Sequence, residues 1–455
     1  MSLSSGSSGT NGSIKITAIV QQLRKFNSKW LRLCWHDYTS TARCRLVPMK
    51  RVLALLECGE PLSLPITKAS LGMLQTDALI PEITGTGMYE AFPDWLSLRQ
   101  GPVPGHASVF LDFKHKDGSD VDLCPRTLLR NTLASAEIHG LSFLLGFELE
   151  FVILGTCGED QPHALRNVAH GWSLARAIAD CGRDGSFNSK IDELLDNLQA
   201  SGVEIEQLHT ETGPGQYEIV LPPLPPLEAC DTLLRTRHIV EAVAMRNGFH
   251  VTLHPKPFAG GSGSASHVHI SICSPGGNAP KVYESFYAGI LTNYPALIAL
   301  AYPNPASYER MVDSFWAGGC WITWGTQNKE APLRKCVDSH WEMKTLDGLA
   351  NPYIAVAGIL AAGTDGLVKG EPLMWLDCAV DPAKLTDEQR QDLGVKMRFP
   401  KNLGEALDAL KSNEVLKESL GREVVQRYTD VKNGEMHMMD SMTEEARRKW
   451  IIERY

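Results

Sequence analysis

The stretch Gly146-Phe147-Glu148-Leu149-Glu150-Phe151 places two carboxylates two residues apart inside an apolar run, with Leu144-Leu145 before it and Val152-Ile153-Leu154 after it. Aromatic and branched residues at this density predict a buried strand over 143–154. Residues i and i+2 of a strand point to the same face, so Glu148 and Glu150 project together. Burying two unpaired carboxylates side by side costs several kcal/mol or more, about the scale of an unsatisfied buried charge. A hard cation between them removes that cost. An edge strand with one wet face satisfies the same pattern, and this stretch alone leaves both open.

Chain-wide properties narrow the class. The chain has 455 residues, 43% hydrophobic and 21% charged, with a net charge of -9. That composition is ordinary for a globular protein of two or three domains. No basic run suggests a nucleic-acid partner, and no apolar stretch reaches the ~20 residues of a membrane helix. The N-terminal Met1-Ser2-Leu3-Ser4-Ser5-Gly6 lacks the charged and apolar regions of a signal peptide. Residues 1–13 read as a disordered tail. The 11 cysteines are scattered without a Cys-x-x-Cys pair, which predicts free thiols and a cytoplasmic protein.

In chain order, residues 14–27 read as a short amphipathic helix, and 30–35 with 42–47 as a hairpin around His36-Asp37-Tyr38-Thr39-Ser40-Thr41. Further strands are expected at 109–113 and 120–123. Together 14–124 form a small strand-rich N-terminal domain, and 125–455 a larger catalytic one. Pro125 starts a helix to about His139. The strand at 143–154 is followed by a polar helical region over 167–200, extended segments at 202–209 and 216–221, and a helix at 227–247. Strands at 250–254 and 267–272 come next, then helices at 281–301 and 351–363 and a charged helical tail. The glycine-serine loop 259–266 lacks the Gly-Lys-Ser/Thr ending of a phosphate loop and precedes a strand.

Four sites share one chemistry. Glu148 and Glu150 share a face; Glu211 and Glu218 bracket a Gly-Pro-Gly turn; His267 and His269 share a face; Glu342 precedes a small-residue helix. Each alone is more often structural than functional. Together, five glutamates and a histidine make a shell for two hard divalent ions, and such ions commonly hold nucleotide phosphates.

The ordered motifs Phe147-Glu148-Leu149-Glu150-Phe151, Glu211 with Gly215-Gln216-Tyr217-Glu218, His267-Val268-His269, Trp324-Gly325-Thr326-Gln327-Asn328 with Arg334, Glu342 and Asn351-Pro352-Tyr353 resemble type I glutamine synthetase. The likeness runs from the hairpin to the end, and Gln327-Asn328-Lys329-Glu330-Ala331-Pro332-Leu333-Arg334 resembles the glutamine synthetase-like part of fungal FluG-type proteins. The resemblance implies an α+β protein: an N-terminal β-grasp domain, then a catalytic domain whose curved antiparallel sheet forms a funnel. It implies ATP and Mg2+ or Mn2+ as cofactors. Glu150, Glu211 and Glu218 would hold one metal, and Glu148, His267 and Glu342 the other. Arg334 would neutralise the transferred phosphoryl group, with Lys329 beside it. His269, Ser271 and His340 would contact ATP; Glu150, Gly263, Arg310, Trp316 and Lys344 would line the substrate. It further implies a homo-oligomer of stacked rings acting on small molecules, with no nucleic acid or membrane partner. The family's adenylylated-tyrosine loop is not recognisable at 375–400.

Departures from the pattern redirect the substrate. Lys344 and Lys329 stand where arginines are usual, replacing a flat fork with a point charge. Trp316 stands where a glutamate closes the ammonium site. Ile66-Thr67-Lys68-Ala69-Ser70 replaces the motif bearing the ammonium-deprotonating aspartate, with Asp77 only loosely matching a neighbouring one, and Ser262 replaces a substrate-contacting asparagine. An intact metal shell with a dismantled ammonium pocket predicts an ATP-dependent ligase that joins a glutamate-type γ-carboxylate to an amine other than ammonia. The alternatives are a true glutamine synthetase, or an inactive scaffold.

Overall fold

In a computed structural model, the described residues are 16–157, 161–164, 175 and 186–455. The expected tail and the first part of the 167–200 helical region lie outside them. The described part of that region holds a helix at Ile191–Ala200.

The chain builds two sheets. The first carries β1 (Trp30–His36), β2 (Ala42–Pro48), β3 (Leu64–Thr67), β4 (Met88–Pro93), β5 (Arg99–Gln100) and β6 (His106–Lys114), in the order β2-β1-β6-β4-β3 with β5 also on β6. β1 runs parallel to β6, and the other pairs are antiparallel. The hairpin forms as predicted, and a helix at Met49–Glu57 that the sequence reading did not assign follows it. Residues 120–123 are not a strand. Asp120 makes one isolated bridge to Lys114, and the chain then turns into the helix Pro125–Ile138. Val121 and Leu123 look like alternating strand residues because they plug the core from this turn.

The second sheet carries β7 (Phe143–Cys157), β8 (Gln161–Ala164), β9 (Gln207–Thr210), β10 (Gln216–Val220), β11 (Phe249–Thr252), β12 (Ser266–Ile272), β13 (Trp324–Thr326), β14 (Leu333–Val337) and β15 (His340–Met343). Its order is β13-β14-β15-β12-β7-β10-β9, with β8 and β11 also on β7. β13 and β14 run parallel; the other pairs are antiparallel. β7 is the spine, with 15 residues and Phe147, Leu149, Phe151 and Ile153 buried on the face opposite its carboxylates. That alternation is the burial signature of a sheet with one polar face.

Behind the sheet, the helices Pro280–Ala301 and Pro352–Lys369 pack backbone to backbone. A Cβ on Gly289 would lie 2.3 Å from the Ala362 carbonyl oxygen, so only glycine permits this approach. The two sheets are tied through Arg126, which is 3% exposed and pairs with Asp94 and Asp112 from the first and with Asp231 from the helix Pro226–Arg246. The hairpin tip also docks: Ser40 Oγ donates to the Ala350 carbonyl, and Asn351 Nδ2 to that of Asp37. No helix among the described residues is long and apolar enough to cross a membrane.

Candidate active site

Strand register assembles the site. Glu150 on β7 lies opposite Glu218 on β10, and Glu148 lies opposite His267 on β12. His269 lies opposite Glu342 on β15, and Glu342 lies opposite Arg334 on β14. Directly paired residues share a sheet face, so residues far apart in sequence line one polar ladder. Glu211 joins it from the turn after β9. Five of the six expected metal ligands fall in the overlapping groups Glu148-Glu218-His267, His209-Glu211-Glu218 and Glu148-His269-Glu342, and the sixth, Glu150, lies beside them with Oε1 3.9 Å from His267 Nδ1.

The electrostatics of this ladder are unbalanced. Burial, then the neighbouring Glu218 charge, pushes the Glu150 carboxyl up to about 8. Burial and Glu148 also raise Glu218. Against the upward pull of burial, hydrogen bonds from His267 (3.1 Å) and His269 (3.0 Å) hold Glu148 low. Burial and Lys344 push His267 down to about 4, and its buried Nε2 has no hydrogen-bond partner among the described residues. Arg334 Nε and Glu342 Oε2 approach to 2.6 Å but are not aligned as a hydrogen bond, so both stay unsatisfied. Glu150 and Glu218, which resist ionising, and the ionised Glu148, beside a buried imidazole nitrogen with a lone pair to offer, form a donor set that fits hard divalent cations.

One residue in this shell escaped the sequence reading. His209 Nε2 sits 3.0 Å from Glu218 Oε1, and that hydrogen bond lifts the imidazole to about 9. Its signal was the i, i+2 spacing to Glu211. Gln216 was also missed as a site residue. Its Nε2 donates to Glu150 Oε2 (3.0 Å) and to the Gly263 carbonyl (2.8 Å), and the Ala265 N–H donates to the same Glu150 oxygen (3.0 Å). A lone glutamine in a strand carries no signal for that role.

A cavity of about 440 Å³ opens beside this cluster, lined among others by Glu150, Glu211, Gly263, Arg310, Phe315 and Trp316. Arg310 packs over Gly263, where a Cβ would meet the arginine Cβ at 3.3 Å. Its guanidinium donates to the Tyr302 hydroxyl and to the Lys344 carbonyl (3.2 Å), and its buried Nε keeps no partner among the described residues. Trp316 is 58% exposed and Phe315 65%. They stand on a loop with positive φ at Ser314, Trp316, Gly318 and Gly319. Lys329 is exposed, with its ammonium 5.8 Å from the Trp316 ring centre. Lys344 is buried and off the cavity wall, with Nζ 3.2 Å from Glu342 Oε1. At the other end, His269 Nδ1 and His340 Nε2 share a 2.8 Å hydrogen bond. Ser271 lies two residues further along β12 on the same face, half-buried.

The glutamine synthetase catalytic-domain family matches residues 122–455. The chain belongs to the glutamine synthetase family. Membership makes it an ATP-dependent ligase. It is 37% identical over 428 residues to the FluG protein of Emericella nidulans, covering 92% of this chain and 48% of that one, so it spans about half the length of that relative. It is 31% identical to the γ-glutamylpolyamine synthetase GlnA3 of Streptomyces coelicolor, over 95% of each chain. Among solved structures, the GmaS/ADP complex in conformation 1 shares the fold with a TM-score of 0.79 at 23% identity, covering 94% of this chain and 98% of the other. A glutamine synthase homolog superposes with a TM-score of 0.77 at 25% identity, covering 94% and 99%. The mixed α+β architecture with a curled catalytic sheet is that of this synthetase family.

Proposed function

We propose that this glutamine synthetase family member joins the γ-carboxylate of glutamate, or a close analogue, to an organic amine through an acyl phosphate made from ATP. The observation that carries this reading is the rim of the cavity. Phe315 and Trp316 stand there, with the Lys329 ammonium 5.8 Å from the indole centre, and the acidic residues lining the cavity among those described are Glu150 and Glu211, both assigned to the metal cluster; the Glu330 carboxylate lies outside that lining, taken up by the Trp316 N–H (3.1 Å). Ammonium needs a dedicated negative charge to attract and deprotonate it. An indole face and a second aromatic ring instead suit the alkyl body of a larger amine. The polyamine specificity in the name of GlnA3 supports the same direction.

The residues divide the work. Glu150, Glu211 and Glu218 would hold one Mg2+ or Mn2+, and Glu148, His267 and Glu342 the other. Ions held there would offset the negative charge that develops on the transferred phosphoryl group. Gln216 keeps Glu150 aimed at its ion. Arg310, with its unspent Nε beside Gly263, grips the carboxylate of the acid substrate. Arg334, held against Glu342, presents a permanent positive charge to the transferred phosphoryl group. His269, His340 and Ser271 face the nucleotide. Lys344 balances Glu342 inside the shell, and Lys329 with Trp316 shapes the amine entrance. The β1–β6 sheet is read as a β-grasp domain over 14–124, ahead of a catalytic domain over 125–455. Homo-oligomeric stacked rings follow from family resemblance, and light scattering tests them.

The deciding experiment is ATP-dependent phosphate release with L-glutamate and Mg2+, comparing ammonium with mono- and polyamines. The expected result is release with an amine, abolished in Glu150→Ala. Trp316→Ala should raise the amine KM about 2- to 30-fold, the range of a cation–π contact of about 0.5–2 kcal/mol. Release with ammonium alone would refute the amine reading, and nucleotide binding without any turnover would favour a scaffold.

A further inference from the structure

Cys336 is used by nothing described above, yet strand register delivers it to the nucleotide end of the site. β14 and β15 pair regularly at Arg334–Glu342 and Lys335–Trp341, then the register shifts and Val337 pairs with His340. Cys336 is the extra residue of this bulge, and a bulge re-aims its side chain. Its Sγ lies 4.0 Å from His269 Nδ1, which is itself 2.8 Å from His340 Nε2. The three donor atoms fall within 4.8 Å of one another, all on half-buried side chains. The far nitrogen of His269, Nε2, is bonded to Glu148 Oε1 at 3.0 Å. A carboxylate behind the ring aims the other nitrogen at a metal.

We propose that Cys336, His269 and His340 form a third metal site, selective for zinc-like borderline-soft divalent ions and adjoining the carboxylate cluster through the His269–Glu148 hydrogen bond. A tetrahedral zinc with bonds of about 2.0 Å to nitrogen and about 2.3 Å to sulfur holds its ligands roughly 3.3–3.6 Å apart. The two contacts at His269 need shifts of about half an ångström to reach that spacing, and the Cys336–His340 pair, within 4.8 Å, needs up to about 1.2 Å. The fourth position is open to water. On binding, the Cys336 S–H bond breaks, the proton of the His269–His340 hydrogen bond is given up, one S–Zn and two N–Zn bonds form, and the displaced protons leave to solvent. Thiolate and imidazole favour zinc over Mg2+, which prefers the all-oxygen ladder. Resting on the reading of His269 and His340 as nucleotide contacts, the same ion blocks turnover competitively with ATP.

The test titrates the whole protein with Co2+ in the presence of excess Mg2+ and follows the thiolate-to-cobalt charge-transfer absorption, which is independent of turnover. The expected result is a band saturating at one equivalent, displaced by Zn2+, absent in Cys336→Ser, and weakened at least 10-fold in affinity in His340→Ala, since losing a ligand costs no less than losing an outer-shell partner. A band that survives Cys336→Ser belongs to another thiol and overturns the site. So does the absence of a band, or its removal by Mg2+. If the band behaves as expected but Zn2+ inhibits wild type and Cys336→Ser equally, the metal site stands and the nucleotide-end reading falls.

Discussion

Replacing Arg126 with methionine should cost more stability than any surface change in this protein. The guanidinium donates from Nε and Nη2 to Asp231 (3.1 and 2.7 Å), from Nη1 to Asp112 (2.8 Å) and from Nη2 to Asp94 (2.9 Å). Asp112 keeps Arg130 at 2.7 Å, and Asp231 keeps the Tyr353 hydroxyl at 2.6 Å. Asp94 keeps only exposed local contacts. The methionine variant thus leaves Asp231, 7% exposed, as a buried charge that has lost its hydrogen-bonded counter-ion and keeps only the more distant charge of Arg235. Breaking such a pair from one side costs about 3–5 kcal/mol, or roughly two to four decades in the unfolding equilibrium. Guanidinium denaturation followed by tryptophan fluorescence reads it as a lowered midpoint. Arg126→Met/Asp231→Leu should recover part of the loss, because it removes the stranded charge. A loss below about 1 kcal/mol, or strict additivity in the double variant, would refute the view that this cluster is a desolvated lock between the two sheets.

Two other perturbations test the scaffold of the site. Gly215 has φ +71°, and a Cβ there would meet the Ile153 carbonyl oxygen at 2.4 Å. Gly215→Ala should therefore cost more than the roughly 1–2 kcal/mol of left-handed strain alone, and by displacing the Glu211–Glu218 turn it should weaken Mn2+ binding measured by calorimetry. His36 and His238 stack at 5.3 Å in the interior; burial, then Arg32, Arg235 and Arg237, pushes His238 down to about 3, and burial with His238 depresses His36. Each is neutral when folded and titrates near 6.5 when unfolded. Their contribution is fully present above pH 6.5 and is lost as pH falls, for His238 by about 2 kcal/mol at pH 5, with His36 acting in the same direction. His238→Gln should flatten the fall in urea midpoint between pH 7 and pH 5, and an unchanged slope would show that the pair does not control acid stability.

Local patterning determined the parts of this protein that have a short period. Alternation in 143–154 announced β7 and placed Glu148 and Glu150 on one face; the same period paired His267 with His269, and helix-length apolar runs marked the helices behind the sheet. Where alternation had another cause, as at 120–123, it misled, because a turn can plug a core with the same spacing. The ordered motifs carried the family. Tertiary structure alone decided which residues meet. Glu218 faces Glu150 because β10 pairs with β7 in one register, and a slip of one residue would turn it to the other face. Lys344 is spent on Glu342, Gln216 steers Glu150, and a bulge turns Cys336 toward two histidines. Such contacts depend on register and chain reversal between distant segments, and these leave no periodic trace in the sequence.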